Sequence, residues 1–227
     1  MKPKRTFDLA RWEWDQYHGN SEKCTLLRAQ MATRFKEMFP QGHNANMAPA
    51  VTKLAEEAKV GKTFHGNMSG LNMIHPRAWD LILKFGKNQK PSSYLKHDPH
   101  LCDLQPMDNC CFDNALKVIR INRHIADDSK ATYVEGISFS PTSGTMLHAW
   151  VGSGYSRKCA DWTLYASTQW TRYFGISFSL EDYERIVCTA KTEVPMCQLL
   201  FKRESFPVFE NLLWEILEKR PQQYRRK

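Results

Sequence analysis

At residue 110 the sequence changes texture, and that change narrows the folds open to the chain. Up to residue 85 the apolar residues recur at helical spacing. Residues 23–39 (KCTLLRAQMATRFKEMF) predict an amphipathic helix stopped by Pro40, and residues 41–46 a loop. Residues 47–60 predict a second helix ending at Gly61. Residues 74–85 predict a third, with Pro76 in its first turn and Gly86 after it. Residues 86–109, rich in Pro, Asn, Ser and Asp, predict a long connection. Beyond it, residues 111–123 (CFDNALKVIRINR) predict one helix with Ala115, Leu116, Val118 and Ile119 on or near one face. Three β-like runs follow, at 131–139, 145–151 and 158–164. Pro141-Thr142-Ser143-Gly144 and Gly152-Ser153-Gly154 separate them. Helices at 180–190, with Ser179 as N-cap, and at 207–219 complete the chain. Helices, then short strands with tight turns, then helices predict an α+β arrangement with an antiparallel sheet beside helices.

The 227 residues suit one domain with an accessory layer, and the 12% aromatic content argues against disorder. The formal charge of +8 is uneven. Residues 1–100 hold 16 Lys/Arg and 9 Asp/Glu, giving +7, and residues 101–227 hold 16 and 15, giving +1. The positive charges of the front half are scattered, as on a solvated face, although they also suit an acidic partner or nucleic acid. Seven cysteines at irregular spacing imply no disulfide framework. The N-terminus MKPKRTFDLARWEWD lacks an apolar stretch, and no run of about 20 apolar residues exists, so neither a secretory signal nor a membrane helix is expected. A reducing cytoplasm is the expected compartment, where thiols stay free.

A free thiol becomes a nucleophile when its thiolate is favoured, a base is within reach and donors await the oxyanion. Cys111 sits where the polar connection ends and a helix begins, so unpaired N–H groups and the helix dipole favour its thiolate. His148 lies inside the apolar run Met146-Leu147-His148-Ala149-Trp150-Val151. Asp161, between Ala160 and Trp162, lies in the next run. A hairpin joining the two runs brings His148 and Asp161 side by side, so that the carboxylate sets the tautomer of the ring.

These residues resemble a known group. Cys111-Phe112-Asp113-Asn114-Ala115 is similar to the nucleophile motif of papain-like and transglutaminase-like enzymes, where a cysteine opens a helix and an aromatic residue follows it. His148-Ala149-Trp150 resembles their histidine strand and Asp161-Trp162-Thr163 their aspartate strand, in the same order, 37 and then 13 residues apart. Gln105, six residues before Cys111, is placed like the oxyanion-hole glutamine of papain-like peptidases, although Pro106-Met107-Asp108-Asn109-Cys110 replaces the glycine and serine found there. With Tyr133 to Gly136 and Tyr173 to Gly175, the set is most similar to small uncharacterised bacterial and phage members of this class.

The resemblance covers roughly residues 105–180. It implies a papain/transglutaminase-like core over 101–205, with a basic, mainly helical extension at 1–100 and a C-terminal helix and tail at 206–227. It also implies Cys111 as nucleophile, His148 as base, Asp161 as orienter and Gln105 as oxyanion donor. The expected chemistry is acyl transfer on the amide of a protein, peptide or related substrate, by a peptidase, amidase or transferase that needs no cofactor or metal. A phage-encoded chain would act in the cytoplasm of its bacterial host. Asn114 is expected to brace the nucleophile helix, Glu135 to line the cleft, and Trp150 and Trp162 to wall it.

Plainer readings stand beside these. Cys111, His148 and Asp161 each have an ordinary core alternative, and Cys110 is a rival thiol. His97, His100, Cys102, Cys110 and Cys111 permit zinc, but at no recognised spacing. Trp12, Trp14 and Tyr17, near Arg11, suit packing of an N-terminal arm better than base stacking. The competing function is a non-catalytic interaction protein that keeps this fold and binds an acidic partner or nucleic acid through its basic half.

Overall fold

The computed structural model describes residues 46–91, 110–122, 131–140, 144–153, 157–161, 163, 171–190 and 206–220, together with Thr33 and Glu37. Helix and sheet are mixed, as an α+β chain requires. The helix expected at 23–39 lies outside the described residues except for Thr33 and Glu37, which are helical.

Helix α1 (Ala48–Lys59) buries Val51, Leu54 and Ala55. A 3-10 helix at Gly66–Met73 follows, which the sequence reading did not anticipate. Helix α2 (Pro76–Phe85) starts on its proline. The His75 side chain accepts from the Arg77 N–H, and the helix buries Ala78, Trp79, Leu81 and Ile82. Strand β1 (Lys87–Pro91) comes next. After the undescribed stretch come α3 (Cys111–Asn122), β2 (Ala131–Ser140), β3 (Gly144–Ser153), β4 (Lys158–Ala160) and β5 (Arg172–Phe178). Helices α4 (Leu180–Ala190) and α5 (Phe206–Lys219) close the chain. The Ser179 hydroxyl accepts from the Asp182 N–H and caps α4.

The five strands form a closed barrel in the order β1-β4-β3-β2-β5. This departs from the expected antiparallel sheet in three ways. The segment 86–109 is not only a connection, because its residues 87–91 form β1, which pairs antiparallel with β5 and parallel with β4. A fifth strand stands at 172–178. The third β-like run stops at Ala160 and not at residue 164. There the Asp161 carboxylate accepts the Thr163 N–H at 2.8 Å, a local turn that takes the chain off the ladder. The barrel therefore draws strands from both sides of residue 100, β1 from before it and β2 to β5 from after it.

The register sorts the side chains. Val134 faces Trp150 across β2 and β3, and Gly136 faces His148. Gly175 pairs with Gly136, and Tyr173 with Ser138. Because side chains alternate, these residues share the inner face, where Val134, Trp150, Cys159 and Tyr173 form a small core. The opposite face carries Tyr133, Ile137, Phe139, Ala149, Val151, Phe174, Ile176 and Phe178. It joins the helices in one large core. Strands β2 and β5 are buried on both faces, so they lack a polar side.

Two inner-face glycines are dictated by one indole. A Cβ on Gly136 would lie 2.2 Å from the Phe174 carbonyl oxygen and 2.8 Å from Trp150 Cη2. One on Gly175 would lie 2.5 Å from the Glu135 oxygen and 2.8 Å from the same Trp150 atom. Neither backbone nor a fully buried tryptophan yields easily. Gly136→Ala is expected to cost about 1–3 kcal/mol, read as a lowered urea midpoint at unchanged slope.

Candidate functional site

Helix α3 sets the thiol by its phase. Buried positions 111, 114, 115, 118 and 119 recur at three- and four-residue spacing, so Cys111 heads the stripe that faces the sheet. Asn114 N–H donates to the Cys110 carbonyl at 2.8 Å, which makes Cys110 the cap and Cys111 the first helical residue. Cys111 is 8% exposed and Cys110 is half-buried; both are free thiols.

Strand β3 sets the imidazole. His148 is 2% exposed, and its Nε2 lies 2.6 Å from Asp161 Oδ2. The Cys111 thiol acts on the same ring and helps to raise its proton affinity. With Nε2 engaged by the carboxylate, Nδ1 is the nitrogen left for sulfur. Cys111, His148 and Asp161 thus meet in one buried chain of contacts, the ring in the middle.

Asp161 is held by more than the histidine. Its Oδ2 also accepts the Tyr173 hydroxyl at 2.8 Å, and its Oδ1 accepts the Thr163 N–H at 2.8 Å. Asn114 Nδ2 donates to Thr163 Oγ1 at 2.9 Å, tying α3 to the Asp161 turn. A buried carboxylate needs such donors, because each unmade bond leaves a desolvated charge. Tyr173 is the residue whose role sequence reasoning missed. The available signal was its motif Tyr173-Phe174-Gly175, but nothing in the sequence aims the hydroxyl at Asp161.

Aromatic rings enclose the imidazole. His148 stacks on Trp150 with centroids 6.0 Å apart and on Tyr173 at 6.3 Å. Trp150 Nε1 donates to Gln89 Oε1 at 2.6 Å, and Gln89 Nε2 donates to Ser177 Oγ at 3.1 Å, so β1 and β5 fix the indole. A cationic ring over an indole face is favourable.

These surroundings set the proton affinity of His148. Burial pushes the pKa down. The Asp161 charge, its hydrogen bond and the Cys111 contact outweigh burial and raise it to about 10. Burial and the Asp161 carboxylate together hold the Tyr173 hydroxyl protonated, far above its usual range.

The other expected site residues are placed differently. Gln105 lies outside the described residues, as do Trp162, His97, His100 and Cys102. Glu135 is fully buried, but the alternation puts it on the helix-facing side with Ala149 and Ile176, away from His148. There its carboxylate accepts the Tyr133 hydroxyl at 2.7 Å. Among the described residues no group of three His, Cys, Asp or Glu side chains is placed to hold a metal ion, and no helix is long and apolar enough to cross a membrane.

Fold and site together define a mixed α+β chain whose closed five-stranded barrel carries a buried His148–Asp161 pair with the Cys111 thiol beside it. The chain matches no known family model, curated protein or solved structure.

Proposed function

We propose that the chain is a cysteine-dependent acyl-transfer enzyme with a papain/transglutaminase-like core. The observation that carries this reading is the His148 ring held between the Cys111 thiol and the Asp161 carboxylate. That arrangement supports thiol catalysis, which needs a nucleophile near a base and the base fixed by a third group.

The steps follow. The thiol proton passes to His148, leaving thiolate beside imidazolium. The sulfur attacks an amide carbonyl carbon, and the charge moves onto the carbonyl oxygen. The N–H of Cys111, at a helix start where intrahelical acceptors are lacking, meets that oxygen, with Gln105 as the expected side-chain donor. The tetrahedral species collapses, the C–N bond breaks, and His148 returns its proton to the departing amine. The resulting thioester passes to water or to a second amine. The first outcome makes a peptidase or amidase, the second a transferase.

Alkylation tests the reading without a known substrate. At about pH 6.5 an ordinary thiol is about 1% thiolate. Iodoacetamide is expected to label buried Cys111 about tenfold or more faster than exposed Cys188, and the advantage is expected to vanish in His148→Ala. Peptide mass mapping reads both sites in one sample. Cys111 labelling no faster than Cys188 would remove the enzyme and leave the same fold as a non-catalytic interaction scaffold.

A further inference from the structure

Strand β2 ends at Ser140 opposite Gly144 of β3, and β5 starts beside them, with Arg172 opposite Phe139. Strand β1, antiparallel to β5, finishes at this same end of the barrel, and β4, parallel to β1, leads into Asp161 here. The inner face differs on the two sides of His148. Away from this mouth stand Val134, Trp150 and Cys159, an apolar filling. Towards the mouth stand Ser138 on β2 and, opposite it, the half-buried Met146 on β3. A group that approaches the ring from the mouth passes over these two.

Ser138 is fully buried, and its Oγ has no hydrogen-bond partner among the described residues. Buried hydroxyls are normally bonded, because an unmade bond leaves a desolvated dipole at a cost in stability. Packing does not call for the oxygen, since alanine lacks only that atom. Register places the hydroxyl beside the thiol chemistry. Gly136 faces His148, so Ser138, two residues on, is the ring's diagonal neighbour on the same face, about 7–8 Å away between backbones. Across β5 its partner is Tyr173, whose hydroxyl holds Asp161. Helix α3, which starts with Cys111, packs against both β2 and β3. Thr132 Oγ1 is a second buried hydroxyl with no partner among the described residues, but it stands opposite Gly152, beyond Trp150 and away from the mouth.

We propose that Ser138 is a catalytic hydrogen-bond donor for acyl transfer, its hydroxyl meeting the oxygen of the tetrahedral species formed on Cys111. The inference rests on the acyl-transfer reading. When sulfur adds to the carbonyl carbon, the π pair of the C=O bond moves onto oxygen. Ser138 donates a hydrogen bond to that oxygen and keeps its own proton. The bond is released when the C–N bond breaks and the C=O bond re-forms. A hydroxyl with no bond in the resting chain gives none up when the oxyanion arrives, so its interaction is made in the transition state alone.

The test sets two reactions of Cys111 side by side in the full chain. Iodoacetamide alkylates the sulfur by displacing iodide from a saturated carbon, and no oxyanion forms. p-Nitrophenyl acetate acylates it through an oxyanion and releases nitrophenolate. Ser138→Ala is expected to slow acylation about 10²-fold and to leave alkylation as fast as in the parent. Its urea midpoint is expected to hold or rise, since the lost hydroxyl made no bond. Thr132→Val is expected to change neither rate. Cys111 alkylated no faster in the parent than exposed Cys188 removes the enzyme reading, and the donor with it. With selective alkylation present, the donor alone is overturned by any of four results: a parent not acylated at Cys111, a Ser138→Ala chain that acylates as the parent does or slows in both reactions alike, a Thr132→Val chain that loses as much acylation, or a lowered Ser138→Ala urea midpoint.

Discussion

Asp161→Asn is expected to slow acylation of Cys111 by about 10²- to 10⁴-fold and to reverse the charge state of His148 at neutral pH. The two effects have one cause. Burial acts on the ring by lowering its pKa, and the Asp161 charge and hydrogen bond overturn that. An amide of the same shape keeps the packing but removes the negative charge. Burial then dominates, and the ring is expected to titrate below its ordinary value of 6.5. Proton NMR of the His148 ring reads this directly: in the parent chain the imidazolium persists through pH 8, and in the variant the ring is neutral at pH 7. Tyr173→Phe is the companion. It removes one donor from Asp161 Oδ2 but leaves the carboxylate. The raised histidine pKa is expected to remain, with a loss of about tenfold in rate from looser orientation of the relay. An Asp161→Asn chain whose ring titrates where the parent's does would sink the assignment of Asp161.

The relay was more legible in the sequence than the barrel around it, and the reason is physical. A cysteine at the seam between a polar connection and a helix, and a histidine and an aspartate on runs joined by one turn, have few ways to lie apart. Short-range geometry determines most of that. Strand β1 carries no such signal. Lys87-Asn88-Gln89-Lys90-Pro91 has no β-branched or aromatic residue, and its place comes from pairing with two strands distant in sequence. Strand β5 hides for the opposite reason. Arg172-Tyr173-Phe174-Gly175-Ile176-Ser177-Phe178 is buried on both faces, so its polarity does not alternate. Tyr173 was unreadable as a site residue because only closure of the barrel sets it on the same inner face as His148 and Asp161. Glu135 shows the limit of motif proximity. It is one residue from the glycine opposite His148, and one residue along a strand is the other face.

Stability is expected to fall as pH rises towards 10. The folded pKa of His148, about 10, lies above its unfolded value of 6.5. The proton it holds therefore stabilises the fold fully below pH 6.5, and that contribution is lost as pH rises through the folded pKa. Wherever the folded chain holds one more proton than the unfolded chain, stability declines by about 1.4 kcal/mol per pH unit. In Cys111→Ser the decline is expected from about pH 6.5. It ends below the parent's limit, since the Cys111 contribution to the raised pKa is gone. In the parent chain the decline is expected to run from about pH 6.5 to about pH 10. Lys87, with its lowered affinity, works in the opposite direction at the alkaline end, which makes His148→Gln the necessary baseline. Urea midpoints at intervals from pH 6 to 10 give all three curves. A parent curve parallel to that of His148→Gln would remove the raised histidine altogether.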